Sequence, residues 1–282
     1  MYLTSARVQP YSGNPAVAPF GCVRRVGSAA PLWHNRSHID MPKAFPPIVQ
    51  AGTPVLREAA REVPQELLAS EWLRNLVATM IDVMRAAPGV GLAAPQIGEP
   101  WRVIVLEDRE EYIARQAASG TYHSDTLVAM EREPFGPLAL VNPRLRPVGH
   151  EGAVFFEGCL SVRGFAALVP RYYAVDVEAM DPEGKPLVMR ASGWRARILQ
   201  HECDHLQGIL YVDRMWTTTL TATENLPQWA RVLPAGVMGR CTCHHPVDRL
   251  WQPGATPTPT PITTPTATPS TTTTTSPVKG SG

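Results

Sequence analysis

The chain has 282 residues, 44% of them apolar, with 26 basic and 25 acidic side chains for a formal net charge of +1. So even a balance carries no electrostatic footprint for nucleic acid, and no apolar run approaches the ~18 residues of a membrane span, so a soluble protein is expected. The five cysteines, Cys22, Cys159, Cys203, Cys241 and Cys243, are odd in number and irregularly spaced, which argues against a secreted disulfide framework and for a reducing compartment.

The length suits one or two domains of roughly 100–200 residues each, and the composition divides it. Up to Arg57 the only acidic residue is Asp40, while Arg7, Arg24, Arg25 and Arg36 stand among Ser, Ala and Pro. Residues 1–44 therefore read as an organellar transit peptide, or as a disordered extension ahead of a start at Met41; no secretory apolar region is visible. The folded part is expected over residues 45–216. Within it SEWLRNLVATMIDVMRAA places Trp72, Leu73, Leu76, Val77, Met80, Ile81 and Met84 at helical spacing, capped by Ser70 and stopped by Pro88-Gly89. GVGLAAPQIG follows, its glycines able to bring backbone close to a ligand and its Gln96 offering an amide donor. WRVIVLE, LALVNP and YAVDVEAMD read as strands, the last ending in a DPEG turn. ASGWRARILQHECDHLQGIL reads as a second helix, with Trp194, Ile198 and Leu199 near one face and Gly208 near its end. Helices interspersed with short strands, without a regular βαβ rhythm, predict an α+β fold. Residues 217–253 are expected to be a poorly structured extension, and 254–282 a disordered Thr/Pro-rich tail.

QHECDHLQG is the stretch that carries chemistry. Four residues apart on a helix, His201 and His205 share a face, with Cβ atoms about 5–6 Å apart, and can hold one metal ion. Glu202 points about 100° away from the first histidine, beside any water at that ion. The third ligand decides the reaction. A peptidase of this motif usually takes a downstream His or Glu, but Glu224, His244 and His245 lie in the weakly patterned extension. Upstream, the Cys159 thiolate of EGCLSV completes a Cys/His/His set with one position open; the alternative is that Cys159 is a small buried apolar residue.

GVGLAAPQIG, EGCLS and QHECDHLQG, in this order, resemble the three signature motifs of peptide deformylases, over about residues 48–215. SGW and LYVDRM are similar to the organellar type of plants and algae. The resemblance implies an α+β fold in which short antiparallel sheets pack around a central helix carrying H-E-x-x-H. It implies hydrolysis of the formyl group from the N-terminal formyl-methionine of nascent chains, in mitochondrion or chloroplast, with formate released. Cys159, His201 and His205 would hold one divalent ion, Fe2+ by family habit with Zn2+ or Ni2+ able to substitute. Water activated by the ion would attack the formyl carbon. Glu202 would move its proton, and Gln96 with the Leu160 backbone N–H would stabilise the oxyanion. Substrate would add as an extended strand along Val90, Gly91 and Gly158. Phe155, Trp194 and Ile198 would line a methionine pocket, or simply pack the core. Asp204 would pair with Arg171 to position the helix. Partners would be formyl-methionyl nascent peptides and the organellar ribosome that presents them, with no direct nucleic-acid contact.

Two departures qualify this. Ala166 stands where the family often has an arginine, which puts a charged contact to the distal peptide in doubt; Arg163 is nearby. CTCHH, spanning Cys241 to His245, resembles a metal cluster but reads as incidental. The competing readings are a metallopeptidase, which would not need Cys159, and a catalytically silent metal-binding protein, which would have lost Glu202, Gln96 or a ligand.

Overall fold

A computed structural model of the chain describes residues 45–232 and 238–241. The leader to residue 44, the Thr/Pro tail and the His244–His245 pair lie outside the described residues.

The first helix, α1 (Glu71–Ala86), forms where its periodicity predicts. Ser70 caps it by accepting a hydrogen bond from the Leu73 N–H at 3.2 Å, and its buried stripe is Leu73, Leu76, Val77, Met80, Val83 and Met84. Trp72 and Ile81, expected with that stripe, lie at its edge: Trp72 is exposed and packs edge-on against Trp101. Then come β1 (Gly91–Ala93), a 3-10 turn over Ala94–Ile97, and β2 (Val103–Asp108). An insertion of α2 (Glu110–Ala118) and α3 (Ser124–Ala129) leads into β3 (Phe135–Pro147). The longest strand pairing is β4 (Gly152–Cys159) with β5 (Val162–Tyr172), followed by the hairpin β6 (Ala174–Met180) and β7 (Pro186–Ser192). That hairpin turns at Gly184, whose φ of +79° suits glycine, and Asp181 closes it by accepting from the Lys185 N–H at 2.8 Å.

The strands form two antiparallel sheets, one ordered β1-β2-β3-β6-β7 and one containing β5 and β4. Helix α4 (Gly193–His205) packs against both. The sequence suggests one apolar face for α4, but every residue from Trp194 to His205 except Arg195 is buried. A helix enclosed on all sides must pair its polar groups internally. Gln200 does so by receiving the Tyr172 N–H at 3.0 Å and donating to the Tyr172 carbonyl at 2.8 Å. At its end Gly208 has φ +72°, and a Cβ there would meet the Arg57 backbone at 2.6 Å.

The expectation of a poorly structured chain from Thr217 is corrected over its described part. β8 (Thr221–Ala222) pairs with Phe165 and Ala166 of β5, α5 spans Leu226–Val232, and β9 (Gly239–Cys241) pairs with Gly152–Val154 of β4. These complete the second sheet as β8-β5-β4-β9. The segment is ordered by docking rather than by its own pattern: the Leu168 N–H donates to Thr219 Oγ1 at 3.0 Å, and Leu226 and Ala230 enter the main core.

Candidate metal centre

α4 brings His201 and His205 to one face, their ring centroids 5.2 Å apart at 73°. Cys159 ends β4 against them, with Sγ 3.2 Å from His205 Nε2. One donor atom from each of the three residues lies within 4.8 Å of the others, and all three residues are buried. Burial alone would raise the Cys159 thiol, but His205 and His201 outweigh it and hold the thiol well below its usual range. Burial likewise pulls the His201 imidazole down, and nearby Cys159 and Glu157 overcome it, lifting it to about 9. A buried thiolate needs a positive counter-charge, which a divalent ion provides.

The donor chemistry fits such an ion. His201 Nδ1 is committed to Glu157 Oε2 at 2.9 Å, whereas its buried Nε2 makes no hydrogen bond of ordinary geometry among the described residues. One sulfur and two imidazole nitrogens suit Zn2+ or Fe2+, and three protein ligands are one fewer than a closed structural site uses.

Behind the ligands lies a network of which only the Asp204–Arg171 pair was expected. Glu157 receives Arg171 through Nε and a terminal nitrogen, both at 2.9 Å, and Arg197 at 2.7 Å. Arg197 also donates to the carbonyls of Val169 and Ala153, tying β5 to β4. Arg171 reaches on to Asp204, which Arg214 also grips at 2.6 and 2.8 Å. Burial would raise Glu157, and the arginines with His201 instead hold it well below its ordinary value. The Asp204–Arg171 contact is thus one link in a longer chain, and Tyr211 stacks on His201 at 6.3 Å. No local signal marks Glu157: β4 is buried at every residue and its pairing shifts register between Gly158 and Cys159, so spacing alone does not set which face Glu157 shares.

Gln96 is oriented by its carbonyl, which accepts from the Ala93 N–H at 2.8 Å. Its amide nitrogen then faces Cys159 Sγ at 3.5 Å and Ser161 Oγ at 3.2 Å. Leu160 occupies the turn after Cys159, held from outside by Gln50, which donates to its carbonyl at 3.0 Å. Glu202 is fully buried against Gly91. Gly91 begins the edge strand β1, and Val90 immediately precedes it. Among the described residues β9 covers only Gly152–Val154, so β4 from Phe155 to Gly158 has a strand neighbour on the β5 side alone. Phe155, Trp194 and Ile198 are together in the core, with Phe155 and Trp194 edge-to-face at 6.1 Å. Ala166 is buried, opposite Gly158 on one side and Thr221 on the other. Arg163 and Glu224 are exposed.

Comparison with known proteins places the chain in a family. A family model described as polypeptide deformylase matches residues 45–220. The chain is 50% identical over 184 residues to the chloroplastic peptide deformylase 1A of Solanum lycopersicum, covering 65% of this chain and 64% of that protein. It is 38% identical over 230 residues to the mitochondrial peptide deformylase of Homo sapiens, covering 75% and 89%. The match therefore spans slightly less than two thirds of the tomato protein. Among solved structures, the class I type b peptide deformylase of Acinetobacter baumannii with Met-Ala-Ser bound superposes with a TM-score of 0.53 at 31% identity, covering 61% of this chain and 99% of that one.

Proposed function

The chain belongs to the peptide deformylase family, and from that premise we propose that it is an organellar metal-dependent hydrolase removing the formyl group from formyl-methionyl nascent polypeptides. The observation that carries this reading is the buried Cys159/His201/His205 donor set, with Glu202 beside it and two incompletely paired strand edges. Its related proteins include chloroplastic and mitochondrial ones, which supports an organelle.

Cys159, His201 and His205 would hold the ion, and Fe2+ is the proposed resident, with Zn2+ or Ni2+ able to take the same donors. When bound, the ion supplies Lewis acidity toward the formyl oxygen and lowers the pKa of water. The residues of the chain do the rest. Glu202 takes a proton from the attacking water and returns it to the amine nitrogen as the formyl C–N bond breaks. Gln96, its carbonyl already engaged, can only offer N–H toward the developing oxyanion, and the Leu160 backbone N–H is the second proposed donor. Val90, Gly91 and Gly158 offer main-chain groups to an extended peptide, so recognition is indifferent to most side chains. Phe155, Trp194 and Ile198 are proposed to back the methionine side chain. Asp204 and Arg171 hold α4 in register with β5. The organellar ribosome, which presents such chains, is the proposed partner.

The test is formate release from formyl-Met-Ala-Ser by the full chain, purified anaerobically with Fe2+ or Ni2+, beside the acetylated peptide. Formate release with the acetyl peptide spared supports the reading; internal cleavage, or no release with metal bound, sinks it. Glu202→Gln should retain the metal and lose about 10²–10⁴ in turnover. Loss of metal from that variant would count against its role.

A further inference from the structure

Gly91, the second glycine of GVGLAAPQIG, opens β1 opposite Leu106 of β2. Its backbone does not demand glycine, because its φ is not among the positive values of the described residues. In ordinary strand geometry glycine is the costlier choice, since it loses more conformational freedom on folding than alanine does. What excludes a side chain is Glu202. A Cβ at Gly91 would lie 2.3 Å from Glu202 Oε1, 2.7 Å from Cδ and 2.9 Å from Cγ, closer than carbon atoms approach without displacement. Glu202 has no exposed surface, and its helix is held by the Arg197, Gln200 and Asp204 contacts on either side of it. The clash therefore falls on the carboxylate itself. Gly89 differs: its Cβ would meet Leu160 Cδ1 at 2.9 Å, a terminal methyl that can rotate away.

We propose that Gly91 is a positioning residue for Glu202, and that its missing side chain is the slot fixing where the carboxylate stands beside Cys159, His201 and His205. This rests on Glu202 being the proton-transfer group assigned above. The glycine thus serves the chemistry as well as the peptide backbone that β1 offers to substrate.

Gly91→Ala is tested in the full-length, metal-loaded protein. Turnover should fall by about 10²–10³, with KM and metal content changed less than about threefold. A thermal cycle reads the same clash without activity. Gly91→Ala should lower Tm by about 5 °C with Glu202 present, and leave Tm unchanged or higher in a Glu202→Ala background, where the slot is open. Equal losses in both backgrounds would place the clash elsewhere and overturn the proposal. So would unchanged turnover, or a rise in KM alone, which would make Gly91 a peptide-binding glycine only. A wild-type protein that releases no formate would count against the deformylase reading, while the thermal cycle still decides the positioning role.

Discussion

Glu157 touches no substrate in the proposed reaction, yet the orientation of His201 depends on it. Its carboxylate accepts from Arg171, Arg197 and His201 Nδ1 at 2.7–2.9 Å, fully buried. That leaves Nε2 of His201 directed elsewhere, the arrangement by which an outer carboxylate fixes a ligand's tautomer. Glu157→Gln removes the charge while leaving two buried guanidinium groups, and it turns an amide donor toward donors. Breaking one side of such a buried network typically costs about 3–5 kcal/mol, and loss of an outer partner weakens metal binding about 10–100-fold. Urea unfolding and chelator competition measure the two effects separately. If both match the wild type, Glu157 neither supports the network nor orients the ring. Little of this arrangement was legible: the Asp204–Arg171 pair was expected through the family resemblance, but Glu157 was not. It sits on a strand whose pairing shifts register between Gly158 and Cys159, Arg171 and Arg197 arrive from β5 and α4, and no local pattern announces that meeting.

The same distinction governs the elements. α1 was readable because its stripe, its Ser70 cap and its Pro88-Gly89 stop are local signals. β4 was not, because GAVFFEGC is buried at every residue and so lacks the alternation that marks a half-buried strand. α4 was recognised by its motif, while its enclosure on all sides was hidden by the polar residues that the network satisfies. Between elements, Arg85 in the last turn of α1 holds Glu107 of β2 through two hydrogen bonds of 2.8 Å. Arg85 is the chief cause of the lowered Glu107 pKa, opposed by burial and assisted by Arg109. A depressed carboxylate contributes stability above its unfolded value, 4.5 here, and loses it as pH falls through the folded value. Because the Arg85 side chain is 37% exposed, solvent screening limits the contribution to about 1 kcal/mol. Glu107→Gln should therefore cost about that much at neutral pH, with the gap to wild type closing in acid. A gap that persists undiminished at low pH would mean that packing, not the ion pair, joins α1 to β2.

At the scale of the molecule, the two sheets present their incompletely paired edges near the ends of α4 and β4, and the segment after Trp216 helps to hold one of those sheets. β8 covers β5 at Phe165 and Ala166, Thr219 satisfies the Leu168 N–H, and Leu226 with Ala230 fills the main core. The family resemblance fades near Met215 and the residues beyond it are weakly patterned, so an extension rather than a strand and helix was expected; the docking partners on β5 supply what the pattern lacks. Ending the chain after Trp216 removes a buried leucine, at about 1.5–3 kcal/mol, and exposes an edge of β5 beside its buried alanines. With the lost Thr219 bond added at about 1 kcal/mol, the expected destabilisation is about 2.5–4 kcal/mol, a large share of the 5–15 kcal/mol typical of a domain. The urea midpoint of the shortened chain should fall accordingly, and its bare β5 edge should favour self-association at high concentration. Since β5 also carries Arg171, metal retention should weaken along with stability. A shortened chain with the full-length midpoint and full metal content would show that the core closes at Trp216 and that β8 and α5 merely rest on it.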